Sequence, residues 1–286
     1  MRGRAERANS RGLALQEKGW HEEAEAAYRK AAGLDPAWSV PWFNLGLLAK
    51  RRRRWSESLE FNRRATELDS TDEGAWWNLG IAATALGDWV TARAAWRGFG
   101  LPIPDGEGPL ELNMGPVPIR LDPNHEVVWC RRVDPARAIV KSVPLPESGH
   151  GFDDLILNDG APNGWRWHEG KEVPVFDEIA VLRRSAYRTF QLRARVRSPK
   201  DIQTLAELAF ASKLAAEDWS TVEYLCAECS KGTPDNHHLH EAPEWKPDRL
   251  VGIAAPDVVS LERLLAEWRR SSEALIFEVE LVWGEL

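Results

Sequence analysis

The densest group of metal-soft side chains lies late in the chain. Cys226-Ala227-Glu228-Cys229 is followed closely by His237, His238 and His240. A C-x-x-C pair can offer two thiolates to one ion, and neutral imidazoles further on can complete a tetrahedron. The spacing therefore predicts a zinc site on Cys226, Cys229, His237 and His240, structural rather than catalytic. His237 and His240 are preferred because a one-turn separation puts two side chains on the same side of a helical segment. The competing reading packs Cys226 in a sheet beside a solvated histidine loop. A thiol–disulfide role fits less well, since the pair does not open a helix after a strand. Were the metal catalytic, Glu228 and Glu241 would be the nearby bases, but neither has a known catalytic spacing.

Three other polar groups bear on function. His150, Asp153 and Asp154 cluster in a loop, and Arg131-Arg132 lie in a strand-like stretch. No phosphate loop or nucleophile elbow accompanies them, so neither predicts catalysis. Lys50-Arg51-Arg52-Arg53-Arg54 is a strong basic run. It stands at a predicted helix end, where cations meet the negative end of the helix dipole. Without aromatic interleaving or a second cluster it reads as a solvated helix end rather than a nucleic-acid patch.

The elements that must position these residues begin with a repeat. Gly12, Gly46 and Gly80 recur every 34 residues. Trp42 and Trp76 stand four before the last two, with Ala8 at that place in the first unit. Ala24, Ser58 and Ala92 follow the glycines at twelve, and Tyr28, Asn62 and Trp96 at sixteen. Each unit reads as two amphipathic helices in which small residues permit close approach and aromatic ones fill the gap. Neither pair buries its face alone, so neighbours must stack.

Over about residues 5–100 this pattern resembles the tetratricopeptide repeat family, most specifically in Trp42-Phe43-Asn44-Leu45-Gly46 and Trp76-Trp77-Asn78-Leu79-Gly80. Unit one departs with Ala8 and Arg11, as a solvent-facing cap would, and unit two with Asn62 in an aromatic position. The resemblance implies a groove lined by the first helix of each unit. Carried over by position, that groove shows Phe43, Asn44, Leu47 and Lys50 from unit two and Trp77, Asn78 and Ile81 from unit three. It implies a peptide or protein partner. Two alternatives stay open: Asn44 and Asn78 bond only between helices, or the chain's own C-terminal region fills the groove.

After Gly100 the run Leu101–Pro109 is rich in Pro and Gly and reads as a linker. Residues 110–186 alternate strand-like stretches with turn clusters at Asp122-Pro123-Asn124 and Asn158–Gly164. Residues 187–286 show a second symmetry. A strand at Phe190–Val196, a helix opened by Ser198-Pro199 and a strand at Thr221–Cys226 are echoed by Arg249–Ala255, a helix opened by Pro256 and a strand at Phe277–Trp283. The order βαββαβ is that of a ferredoxin-like domain. The predicted fold class is thus α plus (α+β): a helical solenoid over 1–100, a linker over 101–109, a β-rich domain over 110–186 and a ferredoxin-like domain over 187–286.

Composition narrows the function. The 286 residues carry 37 Lys/Arg against 44 Asp/Glu, a net charge of −7, which argues against nucleic acid as a partner. No apolar run reaches the roughly 18 residues of a membrane span. The polar N-terminus lacks a signal core, and three cysteines suit a reducing compartment, so a cytoplasmic location is expected. The expected function is a non-enzymatic interaction protein, in one version an immunity or antitoxin-like protein whose acidic C-terminal region suits a basic partner. The alternative is a metal-dependent enzyme built on the cysteines and histidines.

Overall fold

A computed structural model describes residues 2–168, 170–221 and 245–285. The chain divides into two compact units, residues 1–112 and 113–286.

The first unit is three helical pairs: α1 (Arg2–Glu17) with α2 (His21–Leu34), α3 (Ser39–Arg51) with α4 (Trp55–Leu68), and α5 (Glu73–Leu86) with α6 (Trp89–Gly98). The second helix of one pair packs on the first of the next, α2 on α3 and α4 on α5. Local signals set the boundaries. Asp72 and Asp88 cap α5 and α6 by accepting the backbone N–H of Ala75 and Thr91 at 2.9 and 3.0 Å. Gly87 closes α5 in the left-handed conformation, at φ 71°. Each repeat glycine meets the residue sixteen positions on: Gly12 lies under Tyr28, Gly46 under Asn62 and Gly80 under Trp96. Asn62 fills its aromatic position as a polar plug. Its amide donates to the Ser58 carbonyl at 2.7 Å, while the Ser58 hydroxyl donates to the Gly46 carbonyl at 2.9 Å.

The stretch read as a linker lies within this unit. Arg93 donates to the carbonyls of Gly106 and Gly108 at 2.5 and 2.9 Å, and Arg97 to that of Ile103 at 3.1 Å. Ile103 and Leu110 are buried. Two arginines of α6 therefore hold this segment against the helix that precedes it.

The second unit opens with a closed barrel of β1 (Gly115–Arg120), β2 (Val127–Arg132), β3 (Arg137–Val140), β4 (Leu155–His168) and β5 (Lys171–Arg183). Neighbours in sequence pair antiparallel, and β1 closes on β5 in parallel. With an odd number of alternating strands the closing pair must run in the same direction. Val117, Ile119, Val128, Cys130, Val140 and Ile156 fill the interior. Asn158–Gly164, expected as a turn, is instead the irregular middle of β4. Register shifts there absorb the Gly and Pro residues without ending the strand.

The barrel is followed by β6 (Arg188–Arg195), α7 (Pro199–Ala211), β7 (Ala215–Asp218), β8 (Asp248–Ala255), α8 (Val258–Ser271) and β9 (Leu275–Trp283). These strands form an antiparallel sheet in the order β7-β8-β6-β9. Phe190, Leu192 and Ala194 of β6 pack with Leu205 and Ala209 of α7 and with Leu261, Leu265 and Trp268 of α8. Ser198 and Asp201 complete a capping box at α7. The strand after α7 is Ala215–Asp218, where Ala-Ala-Glu-Asp lacks the β-branched and aromatic residues by which strands are read; Trp219–Thr221 is a short 3-10 turn, and the rest of the strand expected at Thr221–Cys226 lies outside the described residues. Phe210 of α7 is 84% exposed, one residue round the helix from the buried Ala209.

Trp219 joins barrel and sheet. It packs with Val143 and Ala254, and its indole N–H donates to the Val143 carbonyl at 2.8 Å. Glu217 accepts the Val143 N–H at 2.7 Å.

Candidate functional site

The groove residues divide by burial. Phe43, Leu47 and Trp77 are half-buried, whereas Asn44, Lys50, Asn78 and Ile81 are buried, Ile81 completely. Asn44 donates its amide to the Asn9 side-chain oxygen at 2.9 Å, a buried bond from α3 to α1. Phe43 lies over Gly74 at the start of α5. Trp77 meets Trp96 and Phe99 edge-on, at centroid distances of 5.0 and 4.7 Å. Phe43, Leu47 and Trp77 thus keep part of their surface in solvent, while Ile81 and the polar residues sit beneath it. Leu13 lies outside the set expected from the sequence. It is 42% exposed and stands 34 residues before Leu47, so the repeat spacing itself could have found it.

Two arginines of the basic run form ion pairs with α2 and α4. Arg52 pairs with Glu22 at 3.5 Å, and Arg54 with Glu25 at 2.6 Å and Glu57 at 3.2 Å. Burial raises the Glu25 carboxyl, but its bonds to Arg54 and Arg29 outweigh that and hold it below the usual range.

The polar clusters of the second unit are internal struts. His150 is buried, with Nε2 2.9 Å from Glu178 and Nδ1 2.6 Å from the Ser148 carbonyl. Burial disfavours its charge, yet Glu178 outweighs burial and raises the imidazole pKa. Asp154 accepts from the Gly151 and Ser185 backbones and from Arg184. Cys130 is buried in the barrel, which pushes its thiol far up and leaves it inert. Two carboxylates converge on one backbone segment, Glu126 on the Leu145 N–H and Glu217 on that of Val143. Burial raises both, Glu126 to about 7.

Among the described residues, no group of three His, Cys, Asp or Glu side chains is placed to hold a metal ion. Cys226, Cys229, His237 and His240 lie outside the described residues. No helix among the described residues is long and apolar enough to cross a membrane.

Residues 5–37, which are α1, α2 and the turn after them, match the family model of the tetratricopeptide repeat. The chain carries a tetratricopeptide repeat segment. Solved structures that resemble part of it include the following three. The second TPR of Spaghetti (RPAP3), bound to the HSP90 peptide SRMEEVD, is 22% identical with a TM-score of 0.32, over 33% of this chain and 88% of that one. The first TPR of Spaghetti, bound to the same peptide, is 20% identical with a TM-score of 0.33, over 35% and 79%. The Sgt2 TPR domain from Aspergillus fumigatus is 22% identical with a TM-score of 0.32, over 34% and 64%. None of the curated proteins matches the chain.

Proposed function

We propose that the helical unit binds a peptide or protein segment across α1, α3 and α5, with Leu13, Phe43, Leu47 and Trp77 as its apolar contacts. The observation that carries this reading is the half-exposure of Phe43, Leu47 and Trp77 on the first helices of the second and third stacked pairs, which follow the pair that matches the tetratricopeptide repeat model. Apolar side chains repeating at a fixed step along stacked helices make a continuous strip, the kind of surface on which a few anchors carry binding. Asn44 serves as a strut under the strip, since its amide is already held by Asn9. The test is capture of partners on immobilised full-length protein, comparing wild type with Leu13→Asp/Leu47→Asp. Loss of the captured segment is expected. Unchanged recovery with an unchanged circular dichroism spectrum sinks the reading.

We also read β6–β9 with α7 and α8 as a ferredoxin-like domain, a reading supported by the βαββαβ order and the strand order β7-β8-β6-β9. The zinc site on Cys226, Cys229, His237 and His240 stays a proposal from spacing alone. Elemental analysis of untagged protein tests it, and less than about a tenth of an equivalent of zinc rejects it.

A further inference from the structure

The first helical pair presents a groove on its outer side. About 680 Å³ in volume, it runs between α1 and α2 and is lined by Arg4, Arg7, Arg11 and Lys30, with Glu23 as its one acid. Its floor is made of small and aliphatic side chains, among them Ala8, Ala27 and Leu15. Among the described residues, none of the four cations has an ion-pair partner.

The repeat shows what this groove is. Thirty-four residues on from Arg7, Ala8 and Arg11 stand Pro41, Trp42 and Leu45, and after the same step again Ala75, Trp76 and Leu79. Pro41, Leu45, Ala75 and Leu79 are buried, and they lie on helices that take up the second helix of the pair before. The outer groove of the first pair is therefore the same kind of seat, shaped for a helix, but with cations where the later pairs carry core residues.

We propose that this groove docks an acidic amphipathic helix of a partner protein, small apolar residues resting on the floor and Glu or Asp side chains reaching Arg4, Arg7, Arg11 and Lys30. Charge complementarity selects the occupant: an apolar helix would leave four cations desolvated and unpaired, whereas a flanking row of carboxylates pairs them. A nucleic acid fits less well. The floor is apolar, and residues 1–112 carry 16 Asp/Glu against 16 Lys/Arg, so no wide basic footprint surrounds the groove.

Fluorescence anisotropy on the full chain tests this with a labelled, designed peptide of roughly 20 residues, long enough to form a helix, bearing an Ala/Leu stripe flanked by Glu. The same peptide with Lys for Glu is the control. Saturable binding of the Glu peptide only is expected, weakened at least about tenfold by Arg7→Glu/Arg11→Glu and weakened by salt. Arg7→Gln/Arg11→Gln should fall between. Leu13→Asp/Leu47→Asp should leave this binding intact, which separates it from the strip across α1, α3 and α5. Equal binding of the two peptides, or an affinity unmoved by the charge reversal in a protein of unchanged circular dichroism, overturns the proposal. So does displacement of the peptide by an equal concentration of a single-stranded oligonucleotide or of phosphatidylserine vesicles. Self-association in sedimentation that disappears in Arg7→Glu/Arg11→Glu assigns the groove to a second copy and overturns it too.

Discussion

The ring of Trp96 rests so closely on Gly80 that a Cβ at residue 80 would lie 2.5 Å from it. Trp96 is wholly buried and cannot swing away. Gly80→Ala must therefore push two helices apart or force Trp96 off its rotamer, which costs about 1–3 kcal/mol. Gly33, also helical, has nothing within 4 Å of its would-be Cβ. There Gly33→Ala should stabilise by up to about 1 kcal/mol through helix propensity and a less flexible unfolded chain. Urea unfolding of the two full-length variants, followed by tryptophan fluorescence, should shift the helical unit's midpoint in opposite directions. Shifts of the same sign contradict the close approach.

The glycine spacing makes this contact readable in the sequence. A 34-residue period fixes which residue of one helix meets which of the next, because every unit repeats the geometry. Positions outside the period were not readable. Asn9 occupies the repeat position of Phe43 and Trp77, and its bond to Asn44 depends on that one polar substitution in unit one. β7 carries no strand-forming residue and is held by pairing with β8. The closure of β1 on β5 joins residues more than fifty positions apart, a distance over which local patterns say nothing. The candidate groove set shows the same limit: its residues are chosen by repeat position, and their burial depends on neighbours that the repeat does not specify.

Asn9 and Asn44 give a second prediction. Removing either leaves the other's buried amide unpaired, which costs about 1–3 kcal/mol. A double-mutant cycle of Asn9→Ala, Asn44→Ala and both should show coupling, the double variant being less destabilised than the sum. Additive effects mean that the bond contributes nothing beyond packing.

Glu126 predicts a pH dependence. Burial lifts its carboxyl to about 7, opposed by the Leu145 N–H, with Glu217 and Glu147 adding repulsion. Between the unfolded value of 4.5 and the folded one, the folded protein holds a proton that the unfolded chain has lost. The group's contribution is thus complete in acid and is lost as pH rises through about 7. Because the side chain is partly solvated, the loss is on the order of 1–2 kcal/mol rather than the full shift. Glu126→Gln keeps an acceptor for Leu145 but cannot ionise. Urea midpoints taken at intervals from about pH 5 to 8 should fall more steeply for wild type than for the variant. Parallel curves would show that Glu126 titrates alike in both states.

The segment after α6 supplies the last prediction. A Pro/Gly-rich stretch is ordinarily a preferred nick site. Here, however, Arg93 clamps the carbonyls of Gly106 and Gly108, and Arg97 holds that of Ile103 and the Asp105 carboxylate. Protease needs several residues of extended backbone to enter its cleft, so cutting requires these bonds to open first. Ile103 and Leu110 are buried and oppose that opening. Arg93→Ala removes both glycine bonds and leaves two carbonyls to water, while the helix that bears it gains a better helix former. Wild type should thus resist limited proteolysis between residues 101 and 112, and Arg93→Ala should be cut there several-fold faster with little change in its thermal midpoint. Mass mapping of the fragments decides the matter: equal cutting of both proteins at Gly106–Gly108 would mean that the arginine clamp does not hold the segment in solution, and the stretch would act as the open linker its composition suggests.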